Sequence, residues 1–110
     1  QNQEIFRSLL KAHIEAVQFY KTRKSESIKI MAKYMRVPLP GKLEEMEETY
    51  DAFVRTASCK SPVDLEGVAE LLKELALKNP KAKSADPHSF IDSRILRELE
   101  ETGYIDSVCK

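Results

Sequence analysis

A chain of 110 residues makes one domain or part of one, and folding can bury roughly two thirds of its unfolded surface. Eighteen basic and eighteen acidic residues cancel to a formal net charge of +0. That argues against a general nucleic-acid binder and against a polybasic membrane anchor, both of which need a basic excess. No apolar run approaches the roughly 20 residues of a spanning helix, and no signal peptide is visible. The opening Gln1-Asn2-Gln3 reads as the interior of a longer protein, so this says nothing about where the parent lives.

The spacing predicts a first helix over Gln3–Thr22, with Asn2 as its cap. Its apolar stripe is Ile5, Leu9, Ile14, Val17 and Tyr20, flanked by Phe6, Leu10 and His13. A second helix, roughly Glu26–Arg36 and capped near Ser25, presents Ile28, Met31, Ala32 and Met35, with Tyr34 at the edge. A gap of two or three residues makes these two an antiparallel hairpin. Val37-Pro38-Leu39-Pro40-Gly41 stops the second helix, because each proline pushes its predecessor to extended geometry.

A third helix, about Lys42 to Thr56, turns Leu43, Met46, Tyr50, Phe53 and Val54 inward. Ala57–Val63 is a loop ended by Ser61-Pro62, and Asp64 caps the next helix. That helix, Leu65–Lys78, is the strongest amphipathic segment. Leu65, Val68, Leu72, Leu75 and Ala76 recur at helical spacing, and Leu71 and Leu77 widen the stripe. Gly67 leaves room for close approach of another backbone. Asn79-Pro80 ends the helix, and Lys81–Ala85 is a polar linker. Asp86-Pro87 can start a short turn. Asp92 caps a last full helix, Ser93–Thr102, with Ile95, Leu96 and Leu99 inward and Gly103 closing it. Tyr104–Val108 forms a tail able to dock as one more turn. Ser89–Asp92 is the one short strand candidate. The fold expected is all-α, about five amphipathic helices in antiparallel hairpins, as a single helical domain over 1–110.

Chemistry-bearing residues are few. His13 lies on the apolar face of the first helix and reads as a packed histidine with one hydrogen bond. His88 and Asp92 imitate a metal pair, but two ligands do not make a site. Glu44, Glu45, Glu47 and Glu48 are a solvated acidic face at a helix start. Lys21, Arg23, Lys24, Lys29, Lys33 and Arg36 give the first hairpin a basic side beside Tyr20 and Tyr34. On a neutral chain this reads as solvated surface, with a nucleic-acid face as a third-ranked alternative. Cys59 and Cys109 lack a CxxC or Cys/His companion and read as two unpaired thiols. A disulfide needs the fold to bring their Cα atoms within about 7 Å. No catalytic, metal or cofactor site is predicted, and the chain is not read as an enzyme.

Whole phrases carry more than single residues. Leu10–Thr22, Ser27–Tyr34, Glu48–Phe53 and Leu65–Val68 resemble the late helices of solute-binding proteins of ABC transporters, of the nitrate/sulfonate/taurine type that includes thiamine-precursor binders. Ala85-Asp86-Pro87, Phe90-Ile91-Asp92 and Leu99–Asp106 resemble the usual close of such proteins, a glycine-aromatic-Ile-Asp tail. The resemblance implies the C-terminal helical region of a two-lobe α/β periplasmic-binding-protein fold. The parent would be periplasmic or extracytoplasmic, with a lipid anchor possible. It would trap a small organic solute, sulfonate-, nitrate- or taurine-like or aromatic, and deliver it to a membrane permease. Pocket residues would lie upstream, so the ligand-binding residues of this chain are unknown. The partners implied are the upstream lobes, the permease and the solute, with no nucleic acid. The isolated chain is expected to self-associate through its apolar stripes. The alternative is a stand-alone helical protein–protein interaction domain.

Overall fold

The computed structural model describes residues 2–60 and 62–110. Gln1 and Ser61, expected at an internal start and at a loop end, lie outside the described residues. Six α-helices and two 3-10 helices are present among the described residues, and no strand, so the Ser89–Asp92 strand candidate is overturned. The chain divides into two compact units. The first holds residues up to Lys60 together with Tyr104–Lys110, and the second holds residues 62–103.

In the first unit, α1 runs Gln3–Thr22, α2 Lys24–Met35 and α3 Leu43–Thr56, and the chain returns as α6, Tyr104–Val108. One residue, Arg23, separates α1 from α2, where two or three were expected. Neither Asn2 nor Arg23 caps with its side chain, so the caps expected at Asn2 and Ser25 are not formed. The Ile28, Ala32, Met46 and Tyr50 side chains form the buried core, with Tyr20, Met31, Val37, Leu39 and Val54 packed on it. Met35, Leu43 and Phe53 were expected inward and are exposed instead.

α2 ends before its prolines. Arg36 takes the left-handed conformation, φ 57°, and the Arg36 N–H donates to the Lys33 carbonyl while the Val37 N–H donates to Ala32. These two reverse bonds satisfy carbonyls that the helix end would otherwise orphan, and they lay Val37 on the core.

Ser27 is buried in α2, and its hydroxyl has no hydrogen-bond partner. A desolvated hydroxyl without a partner costs about 1–3 kcal/mol. Ser27→Ala removes that cost without adding volume. Urea unfolding should therefore show stability unchanged or raised by up to about 1 kcal/mol. A clear loss would show that the hydroxyl is satisfied.

In the second unit, α4 covers Leu65–Ala76, followed by 3-10 helices over Pro80–Ser84 and Pro87–Phe90, and by α5, Arg94–Glu101. Lys81–Ala85 is thus mostly helical rather than linker, because Asn79 caps it by accepting from Lys81 N–H. Asp64 caps α4 and Asp86 caps the second 3-10 helix in the same way. The Asp92 carboxylate accepts from Arg94 N–H at the start of α5. Both 3-10 helices pack on α4. Val68, Leu72 and Ala76 are half-buried, while Leu65, Leu71, Leu75 and Leu77 stay exposed. A Cβ added at Gly67 would lie 3.3 Å from Asp64 Oδ2, and its nearest neighbours would all be Asp64 side-chain atoms, so the glycine leaves room for the cap rather than for a helix crossing. Leu99 is buried, and Gly103 follows α5 at φ 77°, a conformation that glycine takes without strain.

Candidate functional site

Two features of the first unit stand out, an uncovered apolar face and a cleft at the chain's return. Ile14 is 1% exposed and Val17 and Tyr20 are half-buried, so the lower part of the α1 stripe is covered. One and two turns earlier the same stripe is open. Ile5, Phe6 and Leu9 are 68%, 58% and 62% exposed. Three large apolar side chains within two turns make a continuous patch rather than scattered exposure.

The lower end of α1 is covered by α6. Ile105 is 1% exposed, the Tyr104 hydroxyl donates to Glu15 Oε1 at 2.6 Å, and Lys11 Nζ lies 4.9 Å above the Tyr104 ring. The Glu15 carboxylate beside it pushes the Tyr104 hydroxyl above its ordinary pKa. Lys60 Nζ lies 3.9 Å from Asp106. Cys59 and Cys109 are bonded to each other, with Cα atoms 6.4 Å apart. The reading of two unpaired thiols is therefore overturned. Fifty residues separate them, so no local spacing could announce the pair. Closing a loop of that length is worth about 4 kcal/mol through lost entropy of the unfolded chain.

An open cleft of about 410 Å³ sits over this bond. Gln18, Lys21 and Thr22 of α1 line it together with Lys60, Asp106 and Lys110. Lys21 Nζ donates to the Ala57 carbonyl at 3.2 Å, which ties the end of α1 to the segment leading to Cys59.

A second contact joins α1 to α3. The Tyr50 hydroxyl donates to the Tyr20 carbonyl at 2.6 Å, and the Tyr20 hydroxyl donates to the Tyr50 carbonyl at 3.3 Å. Their ring centroids are 4.7 Å apart. Tyr20 lies in the last turn of α1, where carbonyls lack helical partners. Burial, then the neighbouring Tyr50 hydroxyl, holds the Tyr20 hydroxyl above its usual pKa, with Asp51 acting in the same direction. Lys24 closes the corner, donating to Asp51 Oδ1 at 2.8 Å with Nζ 5.3 Å above the Tyr50 ring. That bond to Asp51 raises the Lys24 pKa.

The residues singled out from sequence do not converge. His13 is exposed, so the expectation of a packed histidine is wrong: it sits one turn after the open Leu9, on a part of the stripe that the chain does not cover. His88 pairs with Asp86 at 3.1 Å rather than with Asp92, and no group of three metal-ligating side chains occurs among the described residues. The acidic face of α3 is exposed at Glu44, Glu45, Glu47 and Glu48, and Lys42 donates to Glu45 at 2.5 Å. Of the basic side, Arg23 pairs with Glu26 at 3.6 Å, Lys24 with Asp51, and Lys33 lies 6.0 Å above Tyr34. No helix among the described residues is long and apolar enough to cross a membrane.

In the second unit an open groove runs along α4 between Gly67, Leu71 and Leu77, rimmed by Glu70, Lys73 and Glu74. Nearby in the chain, Asp92 accepts from Arg94 Nε at 2.9 Å and Nη2 at 2.7 Å. These side-chain bonds, then the Arg94 backbone N–H, hold the Asp92 carboxyl down at about 2. A lowered folded pKa contributes stability above the ordinary carboxylate value and loses it as pH falls through about 2. Arg94→Gln should return the Asp92 carboxyl toward 3.8, read by carbon-13 titration. An unchanged titration would mean that the fork is not formed in solution.

No family model matches the chain, and no curated protein or solved structure is similar enough to match it.

Proposed function

We propose that this chain is the C-terminal helical part of an extracytoplasmic solute-binding component of an ABC importer. The parent takes a small organic solute, sulfonate-, nitrate- or taurine-like or aromatic, between two lobes and hands it to a permease. This segment braces the lobes and performs no chemistry. The observation that carries the reading is the open Ile5, Phe6 and Leu9 face on α1. A helix whose lower half is covered and whose upper half is bare is shaped to continue against further protein. The disulfide supports the compartment, because such bonds persist in oxidising surroundings. The phrases shared with the late helices of such binders supply the solute class.

The isolated chain then buries this face against itself. Sedimentation from micromolar to millimolar concentration should show reversible self-association, lost in the Phe6→Asp, Leu9→Asp double variant. A clean monomer at the highest concentration counts against the reading. The genomic frame is the direct test, since an upstream two-lobe α/β region behind a signal peptide is required.

A stand-alone helical interaction module is the second reading, favoured by the groove on α4 beside Leu71 and Leu77. A natural start codon near Gln1 would select it.

A further inference from the structure

The chain leaves the first unit after Lys60 and comes back at Tyr104, so Cys59 and Cys109 stand close to the two ends of that excursion. The bond between them is the covalent tie that holds the end of α6 to the segment following α3, which Lys21 in turn links to α1. Five residues are too few to hold a helix alone. Apart from Ile105, the ties of α6 are exposed: Tyr104 to Glu15, and Lys60 near Asp106. Exposed pairs of this kind hold little. Release of the covalent tie leaves α6 held by the burial of Ile105 and by these exposed ties alone.

The surroundings of the bond favour its opening. Both cysteines are only half-buried and line the open cleft, so a thiolate can reach them from solvent. Lys21, Lys60 and Lys110 line that cleft against one acidic side chain, Asp106, and the terminal carboxylate that Lys110 carries in the 110-residue chain. An excess of ammonium groups attracts an anionic reductant and stabilises the sulfur that leaves as thiolate.

We infer that Cys59–Cys109 is a site of thiol–disulfide exchange, opened by a small anionic dithiol, and that opening it frees α6 while the α1–α3 core stays folded. The balance is simple. One thiolate of the dithiol attacks either sulfur, the S–S bond breaks, and the other cysteine leaves as thiolate. The second thiol of the dithiol then displaces the mixed disulfide. The dithiol is oxidised to a cyclic disulfide, and Cys59 and Cys109 take up its two protons as thiols.

The test uses the folded chain in native buffer with dihydrolipoate, a carboxylate-bearing dithiol. Two thiols per chain should become open to alkylation without denaturant. The reduction should slow as salt is added, and less so with neutral dithiothreitol. After reduction, amide exchange over residues 104–109 should rise about tenfold or more, while protection at Ala32 and Tyr50 persists. Thiols that appear only in denaturant would overturn the proposal. So would equal salt dependence for the two dithiols, unchanged protection of α6, or collapse of protection in the core. The reading of the chain as a binding-protein segment is untouched by any of these results.

Discussion

Tyr50→Ala is expected to destabilise the first unit by about 4 kcal/mol, the range of a large aromatic truncation in a core. The residue is buried at the centre of the apolar cluster and stacks on Tyr20. Truncation opens a cavity between α2 and α3, and it also strips the Tyr20 carbonyl of its 2.6 Å donor. Tyr50→Phe separates the two costs. It keeps the ring and should lose only about 1 kcal/mol, the net worth of one hydrogen bond. A small domain has about 5–15 kcal/mol in all, so the alanine variant should be at the edge of folding. Urea midpoints of the two variants check this. If phenylalanine costs as much as alanine, the hydroxyl and not the ring holds the corner.

This clasp shows where sequence reasoning works and where it stops. The bounds of α1 follow from periodicity and match the structure at both ends. Asp64, Asp86 and Gly103 announce turns through chemistry within three residues, and each acts as expected. Tyr50 is legible as inward-facing, yet its partner across 30 residues is not. The pairing of Cys59 with Cys109 fails for the same reason, since the two meet only once α6 docks on α1 and the segment after α3 is tied to α1 through Lys21. Arg36 is a different kind of failure. An arginine in the left-handed region carries no signal in its side chain, and the prolines downstream masked the helix stop that Arg36 makes. The α1 stripe was read at full length because periodicity tells which face is apolar. It does not tell how much of that face the chain itself can cover, and Leu9 and Ile14 fall on opposite sides of that limit.

That limit yields a sharp contrast between two truncations on one helix. Ile14→Ala should cost about 3 kcal/mol, because Ile14 is fully buried in the covered part of α1. Leu9→Ala, five residues earlier and 62% exposed, should stay within about 0.5 kcal/mol. The two side chains have similar size and helix setting, so burial alone accounts for the difference. In a parent that packs its lobes on the open face, the order changes. Leu9→Ala should then cost about 2–3 kcal/mol, as a buried leucine does, while Ile14→Ala is little altered. Measuring both variants by urea unfolding, first in the 110-residue chain and then in the longer protein, reads the coverage of α1 directly. A Leu9 penalty that stays near zero in the longer protein would mean that nothing upstream rests on this helix, and the bracing role would be lost with it.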